Sequence, residues 1–305
     1  LLVASGKDPL NGILSAHIDR HGVICTGPNE FQFAAFLAKN RSDLRGNSLS
    51  EQTFQQISQR YINQNVHAYE PFSGSYLGIG KITDAFLKEE INNLVFKIEG
   101  LNHLLPSTPI AFVDKLKQNG NLISAQLDNV LSAAIILYLY QHGFAGTAFF
   151  TAQEEAGKSW RFVHEWFKKN KISTDKLVVL DTSPYETREE ADKQLVVLRN
   201  KDVNAKFKSP LLKELKQFCK KNKISFSCKD KFIIEKNKLR EKEGLKPISI
   251  GSTELGRIVM ESNGQIQGST LQIPTTGYHT VDETASVESI KAIIFILSSF
   301  YIKNF

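Results

Sequence analysis

The sequence predicts an α/β protein with a largely parallel core sheet, interrupted once by an inserted β module. Short apolar runs of strand length alternate with helical patterns over most of the chain, and one long stretch near the N-terminus is cut up by Gly, Ser and Pro. Gly12-Ile-Leu-Ser-Ala16 reads as a buried strand ending on His17-Ile18-Asp19. From about Gly22 to Gly120 the texture changes: alternation over 94–98 predicts small β strands, and 52–60 reads as a single helix. A second strand, 122–127, ends at Asp128-Asn129. Residues 130–142 follow as a helix apolar on all sides, hence buried, with Gly143 as its stop. Strand 147–151 ends at Glu154-Glu155 and precedes an amphipathic helix over 160–169. Strand 177–180 ends at Asp181. Ser209 caps a helix that reaches Lys221 with Pro210 in its first turn, and 286–301 is the closing helix.

Composition bounds the function. With 305 residues, 41% of them hydrophobic and 23% charged, the chain can bury a sizeable core, which excludes a disordered or collagen-like protein. A net charge of +6 demands neither a nucleic-acid nor a membrane partner, and the lysine-rich stretch 213–246 interleaves enough acids to read as a solvated face. No apolar run reaches the length of a spanning helix. Cys25, Cys219 and Cys228 are odd in number and lack a C-x-x-C spacing, which argues against a disulfide framework and for a reducing, cytoplasmic setting. The match of Asn40-Arg-Ser42 to a glycosylation sequon is read as chance. The chain opens on Leu1 with a strand signal within a dozen residues, so it is expected to start inside a domain.

The chemistry is carried by where the polar residues stand. Four strand-like runs each lead to a potential metal ligand: His17, Asp128, Glu155 with Glu154 beside it, and Asp181; His279 is a fifth candidate. In open α/β sheets, sites form at the carboxyl ends of strands, so residues far apart in sequence are expected to converge. Two imidazoles and three carboxylates suit zinc or cobalt. Five ligands exceed one tetrahedral ion with an open position, but fit two ions bridged by Asp128, one completed by His17 and Asp181, the other by Glu155 and His279. Such a pair can make hydroxide available at neutral pH and polarise a scissile carbonyl. Glu154 is then the proton-accepting base. Asp19, two residues after His17, is placed to receive the other imidazole N–H.

These segments, His17-Ile-Asp19, Leu127-Asp128-Asn129, Thr151-Ala-Gln-Glu154-Glu155-Ala-Gly157, Leu180-Asp181 and Ile273-Pro-Thr-Thr-Gly-Tyr-His279, occur in the order found in the tetrahedral (deblocking, or glutamyl-type) aminopeptidases. The chain resembles that family of di-metal exopeptidases, cellulase-M-like members included, over nearly its whole length. The resemblance implies a three-layer zinc-peptidase catalytic domain, residues 1–21 and 122–305, split by a small β-barrel-like domain, 22–121, used in oligomer contacts. It also implies peptide substrates, dimers assembling to a dodecamer, the metal roles given above with Glu154 as base, and a cis peptide bond between Asp128 and Asn129. The sequence departs from the family at Asn129, where many members carry a second aspartate, after the Glu-Glu pair, and at Gly251-Ser-Thr-Glu254.

Each residue has a blander reading. Asp128 alone could be a helix N-cap, Glu154-Glu155 a solvated pair and Asp181 part of a turn; each gains weight because the others sit where a shared site needs them. His21, His67, His103, His142 and His164 read as structural, with His67 on an insert loop that can reach a neighbouring subunit. No nucleophile elbow, zincin helix or phosphate loop is present. The metals themselves, Glu254, or a carboxylate from the insert such as Glu70 are candidates for reading the substrate's free amine. The rivals are a related bimetal carboxypeptidase or amide deacylase, and a non-catalytic metal-binding scaffold of the same fold.

Overall fold

The computed structural model describes residues 1–37 and 49–302; Asn40-Arg-Ser42 lies outside them. Its internal contacts divide the chain into two compact units. One comprises Leu1–Asp19, Lys117–Tyr278 and Glu283–Phe305; the other comprises Arg20–Leu116 and His279–Asp282.

The first unit opens with β1 (Leu2–Ser5) and β2 (Ile13–His17). The second unit contributes β3 (Val23–Gly27), β4 (Glu30–Phe33), α1 (Glu51–Tyr61), β5 (Asn65–Tyr69), β6 (Tyr76–Lys88), β7 (Asn93–Glu99) and β8 (Pro109–Phe112). The chain re-enters the first unit through β9 (Lys117–Asn119), β10 (Leu122–Ala125), α2 (Val130–Gln141), β11 (Thr147–Thr151) and α3 (Trp160–Asn170). Next come β12 (Thr174–Pro184), α4 (Arg188–Asp192), β13 (Val196–Leu198), α5 (Pro210–Lys221), β14 (Phe226–Cys228) and α6 (Lys229–Lys242). The unit closes with α7 (Glu254–Glu261), β15 (Ile266–Thr276), β16 (Glu283–Ser286) and α8 (Val287–Tyr301).

The second unit is a closed barrel in the order β3-β4-β7-β6-β5-β8. Closure leaves no open sheet edge, which suits a small all-β unit. Its interior is filled by Val23, Phe31, Val66, Ile82, Leu94 and Ile110. Helix α1 is capped by Ser50, whose hydroxyl accepts the Thr53 N–H at 3.1 Å, and it delivers Tyr61 onto Phe96 and Phe112, ring centroids 5.0 and 4.7 Å apart.

The first unit is built on a mixed sheet in the order β1-β11-β2-β12-β15-β16-β10-β9, with β13 joined to β14 and β15. The core ladders β11–β2, β2–β12 and β12–β15 are parallel, while β1, β16, β10 and β9 pair antiparallel. Every residue of β2 and β11 is buried, so both faces of the centre are covered, as continuous apolar runs require. The α/β sheet with an inserted β barrel expected from the sequence is the architecture observed.

Three local expectations need correction. Asp181 lies within β12, three residues before its end, because polar Thr182 and Ser183 still pair along β15. Asp128 follows an antiparallel strand, β10, that stops at Ala125, so it does not extend from the end of a parallel one. Helix α2 is not buried all round: Leu137 and Tyr138 are exposed, since a helix packed on a sheet presents its outer face away from the core. The long central strand β15 is not among the strands the sequence predicts, because the Gln, Ser and Thr scattered through it blur its periodicity.

Candidate active site

His17 is the last residue of β2 and is 4% exposed. Its Nε2 lies 3.2 Å from Asp128 Oδ1 and 3.6 Å from Asp181 Oδ1. The parallel pairing of β2 with β12 accounts for the Asp181 contact, because its register, with Val179 opposite Ser15, sets Asp181 level with His17. The peptide bond between Asp128 and Asn129 is cis, as expected. Asn129, the departure from the family pattern, is fully buried, and its Nδ2 donates to the Leu180 carbonyl at 2.8 Å. It thereby ties the Asp128 segment to the strand carrying Asp181. The Asp128 N–H donates to Glu283 at 2.8 Å. Helix α2 is N-capped by Asn129, without a side-chain capping bond, so Asp128 is not the cap.

Glu154 and Glu155 lie in the turn after β11. Asp19 holds that turn: its carboxylate accepts the backbone N–H of Glu154 and of Glu155, each at 3.2 Å. The His17 Nδ1 lies 3.2 Å from the Asp19 carbonyl oxygen and 3.5 Å from its carboxylate. Asp19 therefore positions two segments, whereas the sequence pointed to the imidazole alone. Ligand atoms of His17, Asp128 and Glu155 all lie within 4.8 Å of one another.

His279 falls in the barrel unit, 8% exposed, with its ring centroid 3.7 Å from that of His21. His21, read as structural in the sequence, thus stands beside a candidate ligand. No sequence signal marked it, because the pairing joins segments far apart in the chain. Glu70 accepts the N–H groups of Phe72 and Ser73 at 2.9 and 2.5 Å, closing a hairpin turn. Glu254 receives the hydroxyls of Ser15 at 2.5 Å and Thr151 at 2.9 Å and is buried. Both of its oxygens are thereby engaged, which leaves it poorly disposed to read an amine.

The electrostatics are those of crowded acids. Burial raises Glu154 well above the usual carboxylate range; the charges of Asp181, Glu155 and Glu254 push the same way, while His17 opposes. Asp181 is raised by burial and by Asp128, against the pull of His17 and the Thr182 N–H. Burial lowers the pKa of His17, but hydrogen bonds to Asp128, Asp181 and Asp19 outweigh it and leave the group raised well above 6.5. Four carboxylates and one imidazole drawn together in a buried place are a donor set that a divalent cation stabilises, so the residues present fit a metal centre. The site opens on a cavity of about 360 Å³ whose walls include His17, Asp128, Glu154, Glu155 and Asp181.

The sequence model of the M42 glutamyl aminopeptidase family matches residues 104–236, less than half of the chain. No curated protein matches it. Among solved structures, the TET1 peptidase of Pyrococcus horikoshii, described as assembling into a tetrahedron or a large octahedral shell, superposes with a TM-score of 0.64 at 17% identity, covering 99% of this chain and 86% of that one. A TET aminopeptidase from a marine-sediment thaumarchaeon gives 0.66 at 15%, covering 99% and 83%. An aminopeptidase from Desulfurococcus kamchatkensis gives 0.66 at 14%, covering 98% and 81%. At such identities these likenesses speak for the fold. The chain is therefore similar in sequence to the M42 glutamyl aminopeptidases over residues 104–236 and shares the fold of the TET aminopeptidases along nearly its entire length.

Proposed function

We propose that this protein is a metal-dependent aminopeptidase that hydrolyses N-terminal residues from peptides. The observation that carries the reading is the convergence of Asp128 and Asp181 on the Nε2 of His17, at 3.2 and 3.6 Å, in the cavity that also holds Glu154 and Glu155. His17, Asp128 and Asp181 would hold one divalent ion and Asp128 with Glu155 a second, zinc or cobalt by donor type. The assignment of His279 to the second ion rests on the sequence motif. Two such ions supply Lewis-acid activation of water and of the scissile carbonyl. Glu154 takes the water proton and returns it to the leaving amine; burial among acids keeps its affinity for that proton high. Asp19 fixes the turn that presents Glu154. Homo-oligomerisation is supported by the described assembly of the TET1 relative, and a cytoplasmic setting by three free cysteines. Among the described residues no helix is long and apolar enough to cross a membrane.

The test is hydrolysis of amino-acid amides against their N-acylated counterparts, with zinc or cobalt added and then chelated. Metal-dependent cleavage of the free-amine form is expected. Strict preference for the blocked form would replace this reading by the deacylase, and no cleavage with either metal would favour the scaffold.

A further inference from the structure

Lys229 is a buried amine that the proposed hydrolysis does not use. It opens α6 at 5% exposure, and no other lysine among the described residues is buried. Its Nζ donates to the Pro184 carbonyl and lies 3.5 Å from the centre of the Tyr185 ring, with the Phe232 ring at 5.2 Å. The part of the cavity wall it belongs to is largely apolar, with Pro184, Tyr185, Phe232, Ile233 and Ile248. Among the described residues no carboxylate stands within ion-pair distance of it. Glu186 and Glu190, which share the wall, are paired with Lys236 at 2.7 and 3.1 Å. Arg199, 6% exposed in the same wall, also lacks a carboxylate partner among the described residues. It donates from Nε to Gln272 at 2.9 Å and from a terminal nitrogen to the Ile250 carbonyl, both uncharged acceptors.

Two buried cations without a counter-ion are costly. Burial lowers Lys229 from an ordinary 10.5 to about 7; the charges of Arg199 and Lys236 add to the effect, and Glu190 and Glu186 oppose it. Near neutrality about half of the amine is therefore unprotonated, against roughly 0.1% or less for an exposed lysine. The Pro184 carbonyl takes one N–H of the neutral amine, and the nitrogen lone pair stays free to attack an electrophile. We propose that Lys229 is a site of reversible carbamate formation with carbon dioxide, and that Arg199 is the counter-ion of the carbamate. The lone pair of Nζ forms a C–N bond to the carbon, one C–O π pair moves onto oxygen, and a proton leaves the nitrogen for solvent. Nothing is oxidised or reduced. Carbon dioxide is uncharged and reaches an apolar wall without shedding the hydration shell that an anion must lose. The step turns a wall with two like charges into an ion pair. It needs only the amine and its surroundings, so it is independent of the aminopeptidase reading.

The experiment uses the full chain with zinc added and with its lysines labelled with nitrogen-15 at Nζ, in carbon-13 bicarbonate at about pH 8. Carbon NMR is expected to show a resonance split by a direct bond to nitrogen-15. Free bicarbonate, or carbonate on a metal, carries no such bond, and a carbamate on the N-terminal amine is unlabelled at nitrogen. The split signal should vanish in Lys229→Arg, whose guanidinium stays protonated and does not attack. Arg199→Gln should lower the labelled fraction by about threefold or more at the same bicarbonate concentration. Absence of the split signal in the wild type, its persistence in folded Lys229→Arg, or an equal fraction in folded Arg199→Gln would overturn the proposal. If a variant fails to fold, the wild type decides: the carbamate is alkylated with a trialkyloxonium salt and located by peptide mapping. The mark is expected on Lys229 ahead of the exposed lysines, and a mark on those alone would overturn the assignment.

Discussion

Asp19 holds Glu154 by the main chain: its Oδ1 accepts the Glu154 N–H at 3.2 Å, while Oδ2 takes the next N–H, that of Glu155. An aspartate two residues past a strand end thus fixes a turn in another part of the sequence. Asp19→Ala frees both N–H groups and lets the turn drift. A fall in kcat/KM of about 10–100-fold is expected, with weaker zinc binding in metal analysis. Asp19→Asn keeps one acceptor oxygen and should lose less. Equal losses in the two variants would contradict the positioning role.

Glu154→Gln keeps the shape of the base and removes its proton affinity. The expected outcome is a kcat lower by about 10²–10⁴ with bound metal unchanged. Retained kcat would mean that another group takes the proton.

Cation binding should release protons. His17 is held well above 6.5 by hydrogen bonds to Asp128, Asp181 and Asp19 that outweigh its burial, and Glu154 and Asp181 are raised chiefly by burial. A dication favours the deprotonated form of each, so at about pH 6 zinc must displace protons. Calorimetry in buffers of different ionisation enthalpy measures the number released. A value near zero would mean that zinc does not bind at these groups. Removing the metal with a chelator should lower the melting temperature, because like charges are then left facing one another.

Gly256 lies in α7, two residues past Glu254, and a Cβ there would overlap the Asp202 carboxylate. That carboxylate accepts from the backbone N–H and the hydroxyl of Thr253, both at 2.8 Å, and from the N–H groups of Asn204 and Ala205 at 2.7 and 2.9 Å. Gly256→Ala is expected to cost about 2–3 kcal/mol, seen as a melting point lower by about 5–10 °C.

In the barrel, Glu30 is lowered to about 2, first by the Lys88 ammonium 2.7 Å away and then by the Thr26 and Gln32 side chains. A carboxyl more acidic in the folded than in the unfolded chain stabilises the fold above its ordinary value of 4.5, and loses that contribution as pH falls towards 2. Lys88→Met should therefore destabilise only slightly at neutral pH, because the pair is partly exposed. The gap in melting temperature between variant and wild type should narrow on acidification. An unchanged gap would assign the effect to packing.

The sequence alone determined the alternation of strands and helices, the inserted β unit and the polar residues at the ends of apolar runs. Those signals are local, written in periodicity and punctuation. They pointed to His17, Asp128, Glu154, Glu155, Asp181 and His279 as candidates, with Asp19 beside them. Tertiary structure alone decided that Asp19 grips the turn after β11, that Asn129 ties Asp128 to the strand bearing Asp181, and that Ser15 and Thr151 occupy both oxygens of Glu254. It also decided that Lys229, one lysine among many in a charged stretch, is buried on aromatic rings. Each of these depends on groups brought together from distant segments, and desolvation and hydrogen bonding act on what is close in space.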